Sequence, residues 1–305
     1  MTTTRHELEV PAEAQGQRVD LFVGERLSLS RNRLKALFEA DSIRVDGRKV
    51  KKGLSLAAGQ VVTVELLESA AGAVADASLT LTVLYEDDAL VAVDKPAGVP
   101  SQPIDPGETG TVANALVARF PALGAVGADP REAGLCHRLD VETSGVLLAA
   151  KTKEAWQTMR AAFSEPGGVD KRYLALVRGP LADEGEIDLP LVHAGDHVRP
   201  ALSGEDARPA RSSFVVLRRA AATSLVEVRL FTGVLHQVRA HLAAVGAPIV
   251  GDERYGGRPH PRLGRFFLHA ASLSFSHPVS QRVVRIESPL PDTLARVRDE
   301  ALGSG

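Results

Sequence analysis

The succession of strand-like runs between residues 79 and 295 constrains the fold of this chain most. Apolar, β-branched stretches recur at 79–85, 90–93, 145–150, 173–177, 213–217, 225–231 and 273–275. Helical spacing of apolar residues occurs at 112–120, 153–163 and 236–245. In the last but one, Trp156, Met159 and Phe163 fall on one face and read as core. Parallel neighbours need a long crossover, usually a helix, whereas most of these strands follow one another directly. The pattern therefore predicts an α+β fold with a mixed, mainly antiparallel central sheet. No internal repeat is present, and neither common glycine-rich phosphate loop.

Residues 18–67 read as a separate small α/β module. A short helix over 18–27 places Val19, Phe22, Val23 and Leu27 at helical spacing. Ser30 is a good N-cap for a second helix, whose Leu34, Leu37 and Phe38 form an apolar face. A strand over 43–46, a turn at Asp46-Gly47 and a closing strand over 61–67 follow. From Arg31 to Lys52 eight basic residues face three acidic ones, a net +5 in a chain of net −2. The small core leaves Arg31, Arg33, Lys35, Arg48, Lys49, Lys51 and Lys52 free to meet phosphates, with a merely solvated basic face as the alternative. Around this module, 1–17 reads as a polar N-terminal extension without the apolar stretch of a secretory signal, and 68–78 as a linker. Residues 79–305 form the body, with 299–305 as a frayed tail. The single cysteine, Cys136, can form neither an internal disulfide nor a cysteine zinc site. No apolar run approaches the ~18 residues of a membrane span, so no membrane partner is expected, and a cytoplasmic location is.

Three segments could carry chemistry. In His137-Arg138-Leu139-Asp140-Val141-Glu142-Thr143-Ser144-Gly145, polar residues crowd just before a buried strand, at a sheet end where sites are often built. The residues alone favour a solvated, capped turn over a site. In Thr232-Gly233-Val234-Leu235-His236-Gln237-Val238-Arg239, a helix begins and Arg239 falls in its first turn. A cation there opposes the helix dipole, so either a buried carboxylate offsets it or the side chain reaches solvent. His236 and His241 are five apart, which places no metal pair on one face, and no metal site is expected. In Lys171-Arg172-Tyr173-Leu174-Ala175, Tyr173 opens a strand, where packing is its ordinary role.

Taken together and in order, these motifs resemble those of the RluA family of RNA pseudouridine synthases. Asp94-Lys95-Pro96-Ala97-Gly98, Pro248-Ile249-Val250-Gly251-Asp252, Tyr255-Gly256 and Leu268-His269-Ala270 extend the resemblance over about 200 residues. The 18–67 module is similar to the RNA-binding domain named after ribosomal protein S-four. The resemblance implies the pseudouridine synthase fold and an isomerase that needs no cofactor. It implies Asp140 as nucleophile and Arg239 as the arginine that pairs with it. Tyr173 would stack beside the uracil and is a candidate base. Arg138 would enter the RNA stack in place of a flipped nucleotide, and His137, Thr143, His236 and Gln237 would contact substrate. The implied partner is RNA, large-subunit ribosomal RNA first and transfer RNA as an alternative, bound by a monomer. A noncatalytic RNA-binding assembly factor is the reading from another class, opposed by the retention of Asp140, Tyr173 and Arg239. A hydrolase using Asp140 and His137 would need a geometry that neighbours in sequence do not supply. Two departures stand out: Val234 where the family usually has arginine, and Asp41-Ser42 where the small domain commonly has glycine.

Overall fold

A computed structural model describes residues 2–27, 29, 31–68, 72–221 and 223–303, with the side chains of residues 2, 3, 31–33, 36, 67 and 68 left outside the description. The chain divides into two units, 1–72 with 103–108, and 73–102 with 109–305.

In the smaller unit, strands β1 (Thr2–Glu9), β2 (Ile43–Val45), β3 (Arg48–Lys49) and β4 (Val61–Glu68) form an antiparallel sheet in the order β1-β4-β2-β3. Helices α1 (Val19–Leu27) and α2 (Arg31–Glu39) complete it. Val19, Phe22, Val23, Leu34 and Leu37 pack with Ile43, Val45, Val62 and Val64 as its core. Asp46 and Gly47 both take positive φ, 48° and 75°, the conformation of a two-residue hairpin turn whose twist matches its strands. Asp41 supplies the left-handed residue, φ 54°, that glycine would supply after α2. Its N–H donates to the Phe38 carbonyl, and that of Ser42 to the Leu37 carbonyl, a complete helix stop built without glycine. Ser30, the expected N-cap, lies outside the described residues.

The opening segment is not an extension: Thr2–Glu9 pairs along its whole length with β4. An edge strand covered on one side needs few apolar residues, so its polar composition disguised it.

In the larger unit, a nine-stranded sheet runs β5 (Thr82–Glu86), β6 (Leu90–Lys95), β7 (Ser144–Ala150), β14 (Leu268–Ser276), β8 (Asp170–Arg178), β13 (Thr223–Leu230), β12 (Arg211–Ala220), β9 (Glu184–Asp188), with β15 (Val283–Glu287) also beside β14. Only β7 and β14 pair in parallel among the described strands, so the sheet is mixed and mainly antiparallel, as expected. β10 (Leu191–Ala194) and β11 (His197–Pro200) form a separate hairpin. Strand β7 is buried throughout. Leu147 and Ala149 join a core with Leu116 of α3 (Val112–Arg119), Leu242 of α5 (Gln237–Ala244) and Leu294 and Val297 of α6 (Asp292–Leu302). Val146, Leu148 and Ala150 join a second core with Ala155 and Met159 of α4 (Lys153–Ser164). Each fully buried Val, Leu or Met side chain contributes about 1.5–3 kcal/mol. No described helix is long and apolar enough to cross a membrane.

Two further expectations are corrected. Residues 73–78 are not a free linker: the Asn114 side-chain amide donates to the Val74 carbonyl at 2.7 Å, and Ala73 enters the larger core. Small, polar composition cannot reveal a partner forty residues away. Nor is 299–302 frayed, because α6 runs to Leu302, which is itself buried.

Gly145 lets β7 approach β14. At its φ of 120°, a Cβ would stand 2.1 Å from the Ala270 carbonyl oxygen. Gly145→Ala is expected to cost about 3 kcal/mol or more. Denaturant unfolding followed through Trp156, the chain's one tryptophan, reads this directly; an unchanged midpoint would contradict it.

Candidate active site

Residues 137–143 leave the core just before β7, and hydrogen bonds to their backbone fix their course. The Thr143 N–H donates to the Asp140 carbonyl at 3.0 Å, closing a tight turn. Ser101 Oγ donates to the Leu139 carbonyl at 2.9 Å and accepts the Leu139 N–H at 3.0 Å. Lys95, fully buried at the end of β6, donates to the carbonyls of Pro96 (2.9 Å), Val99 (2.7 Å) and Val141 (2.9 Å). Burial pushes this ammonium down to about 7, against the pull of Glu142 and Asp140, while three carbonyl acceptors suit its charged form. Arg265 donates to the Glu142 carbonyl at 2.7 Å and to Ser144 Oγ at 3.1 Å. These contacts hold the backbone and leave the Asp140 carboxylate, 22% exposed, facing outward.

Arg239, in the first turn of α5, reaches that carboxylate. Its Nη1 donates to Asp140 Oδ2 at 3.1 Å. Its Nε and Nη2 donate to Asp252 at 2.7 and 2.8 Å, a two-pronged pair in which Asp252 is 1% exposed. The guanidinium lies 4.9 Å from the Tyr255 ring centre and 4.2 Å from that of Phe266. Burial works against its charge, and the hydrogen bonds and charges of Asp252 and Asp140 outweigh it, so the guanidinium stays cationic. Of the two ways open to a cation at a helix start, burial against a carboxylate is the one found, and there are two carboxylates.

The other expected residues take different places. His236, the residue before α5, adopts a left-handed backbone, φ 52°, with Nε2 3.9 Å from Asp140 Oδ2. Tyr173 is buried on β8; burial and the Asp140 charge raise its phenol above the ordinary value, which favours a packing surface over a base. Gln237 is buried, its amide oxygen accepting from Thr232 Oγ and the Val234 N–H and its nitrogen donating to the Arg211 carbonyl. Its polar atoms thus hold the 232–234 turn. His137 Nε2 accepts the Leu148 N–H at 3.1 Å, and its ring stacks on Phe163. Burial, then Lys171 and Arg160, push it down to about 3, so it is neutral. Thr143 is buried, and Arg138 is exposed. Val234 packs against the small cluster of Leu191, Val198, Ala210 and Ala240, alongside Tyr255, an apolar use of the position.

In the smaller unit, Lys35, Arg48, Lys49, Lys51 and Lys52 are exposed; Lys49 pairs with Asp41, and Lys35 approaches Glu39 at 3.8 Å. The side chains of Arg31 and Arg33 lie outside the description. Sequence reasoning assigned no role to Lys95, Asp252, Tyr255 or Arg265. The signal for the first two was a charged residue attached to an apolar run, Val91–Val93 and Ile249–Val250, where solvation alone does not explain it.

The family model for RNA pseudouridylate synthases matches residues 89–244, which hold Lys95, Asp140, Tyr173 and Arg239. The chain is 36% identical to ribosomal large subunit pseudouridine synthase D of Xanthomonas campestris pv. campestris, over 94% of this chain and 90% of that one. It is 38% identical to an uncharacterized RNA pseudouridine synthase of Mycobacterium bovis, over 98% of both. Among solved structures it is similar to human RNA pseudouridylate synthase domain containing 4, with a TM-score of 0.57 and 25% identity over 72% of this chain and 92% of that one. The chain therefore belongs to the RNA pseudouridine synthases of the RluA type, enzymes that isomerise uridine within RNA.

Proposed function

We propose that this protein converts specific uridines of large-subunit ribosomal RNA to pseudouridine in the cytoplasm, with Asp140 as nucleophile. The carrying observation is the division of Arg239 between two carboxylates. Asp252 takes two N–H groups and is closed off, whereas Asp140 takes one and its side chain stays partly exposed. An oriented carboxylate beside a fixed cation suits attack on an electrophilic carbon. The Asp140 oxygen attacks C1′ of the target ribose and the bond to N1 breaks, leaving the electron pair on the uracil. The ring turns, C5 bonds to C1′ as the Asp140 oxygen leaves, the C5 proton departs and N1 gains one. Atoms and charge balance without a redox partner, so no cofactor is needed. The Tyr173 ring serves as the surface against which the uracil turns.

The reacting atoms of a stacked nucleotide are out of reach, so the target flips out, and exposed Arg138 suits the vacated place in the stack. His236 lies close enough to touch the ribose, while His137, Thr143 and Gln237 act by holding the frame. The relatives named for the ribosomal large subunit support the RNA class. The smaller unit, with exposed Lys35, Arg48, Lys49, Lys51 and Lys52 and with Arg31 and Arg33, acts as an S-four-like RNA-binding domain.

Two outcomes are expected. Purified protein incubated with unmodified large-subunit ribosomal RNA forms pseudouridine, detected by mass spectrometry of digested nucleosides. Asp140→Asn lowers the single-turnover rate by about a thousandfold or more while changing RNA affinity by less than about threefold. Full activity in that variant would refute the assignment. The triple replacement Arg48→Ala, Lys51→Ala and Lys52→Ala weakens binding and reduces the slope of log affinity against log salt by about 2–3. An unchanged slope would show that these side chains meet no phosphates.

A further inference from the structure

His236 occupies a backbone conformation that disfavours side chains other than a few, and it is followed at once by α5. Its ring is fixed from behind. The Val198 N–H of β11 donates to Tyr255 Oη at 3.1 Å, and Tyr255 Oη lies 3.1 Å from His236 Nδ1. The Val198 N–H takes one lone pair of Tyr255 Oη, and the arrangement that suits both neighbours of His236 has the Tyr255 hydroxyl hydrogen donated to Nδ1. The remaining proton of a neutral imidazole then sits on Nε2. The opposite tautomer would turn a bare Nε2 lone pair toward Asp140 Oδ2, 3.9 Å away. Burial first, and then the charges of Arg239 and Arg254, keep the imidazole below its ordinary value against the pull of Asp140 and Asp252, so it carries a single proton. Tyr255 is itself held by packing with Val198 and Val234 and by the Arg239 guanidinium over its ring.

The result is one donor, Nε2–H, and one acceptor, Asp140 Oδ2, separated by 3.9 Å. That gap is too long for a direct hydrogen bond, but a single oxygen at about 2.8 Å from each atom bridges it. Such an oxygen must accept from His236 and donate to Asp140. A phosphate oxygen cannot donate, and a carbonyl cannot either; a hydroxyl does both. Within an RNA chain the 3′ and 5′ oxygens are esterified, which leaves the 2′-hydroxyl as the free hydroxyl of the ribose. It stands on the carbon next to C1′, where Asp140 attacks.

We propose that His236, fixed in one tautomer by Tyr255, pairs with Asp140 to grip the 2′-hydroxyl of the target uridine, making this pair the point at which the enzyme distinguishes ribose from deoxyribose. This rests on the pseudouridine synthase reading given above. Tyr255 is a positioning residue, acting only through His236.

The test uses the full chain and a fragment of large-subunit ribosomal RNA containing the uridine that the wild type converts, made with either uridine or 2′-deoxyuridine at that position alone. The wild-type rate on the all-ribose RNA reports on the pseudouridine reading; the ratio of the two rates, measured at subsaturating enzyme in single turnover, reports on the grip. The wild type is expected to favour ribose by roughly tenfold to a hundredfold, the effect of one satisfied against one orphaned polar group. His236→Ala should be slower on the ribose RNA and discriminate by only a few-fold. Tyr255→Phe, which removes one oxygen and keeps the ring, should lose part of the discrimination while retaining the wild-type unfolding midpoint within a few degrees. Equilibrium binding of the same two RNAs supplies the ratio where the deoxy rate falls below detection. Unaltered discrimination in both variants, or a wild type indifferent to the 2′-hydroxyl, would overturn the proposal.

Discussion

The site depends on one guanidinium serving two carboxylates. Burying a cation costs several kcal/mol unless its hydrogen-bonding groups find partners. Arg239 meets that cost at Asp252, whose carboxylate is the more deeply enclosed and takes two of its N–H groups in parallel. That pair fixes the plane of the guanidinium, and Tyr255 and Phe266 close on it. The remaining nitrogen therefore points in one direction, toward Asp140. The arrangement explains how a cation is tolerated in the first turn of α5, where the helix dipole opposes it.

The rest of the larger unit supplies Asp140 in the matching place. Lys95, Ser101 and Arg265 all address backbone atoms of the segment around it and leave its own carboxylate uncommitted apart from Arg239 and the approach of His236. A functional group built this way is held by the scaffold instead of by its own side-chain contacts, so it can engage substrate without first breaking internal bonds. Gly145 extends the same logic to the sheet, because the parallel contact of β7 with β14 begins at Ser144 and Gly145, immediately after the turn. Among the described residues, His236 borders Asp140 in a left-handed conformation, and strain of this kind persists only where surrounding contacts enforce it.

Much of this was legible in the sequence. The direct succession of strand-like runs gave a mainly antiparallel sheet, because parallel neighbours would have required more helices than the pattern contains. Arg239 at a helix start called, on dipole grounds, for either a buried carboxylate or an escape to solvent, and the structure takes the first. What the pattern could not supply was identity across distance: Asp252 as the principal partner, Lys95 as a clamp on a segment some forty-five residues away, and Asn114 holding 73–76. The short strands β9 and β15 and the edge strand β1 escaped because partly exposed strands carry mixed residues, and α6 because its three buried apolar side chains suffice for a terminal helix. The motifs marked Gln237 and His137 without showing their internal bonds, Gln237 to Thr232, Val234 and Arg211 and His137 Nε2 to the Leu148 N–H.

If one guanidinium must serve Asp252 with two N–H groups and Asp140 with a third, a cation of the same charge without that fork will not suffice. Single-turnover pseudouridine formation by Arg239→Lys measures this directly. The account predicts a loss of about a hundredfold or more at saturating enzyme, with RNA affinity preserved, since an ammonium cannot hold both carboxylates in their present geometry. A rate within a few-fold of the wild type would mean that charge alone is needed beside Asp140, and would contradict the geometric account of the site.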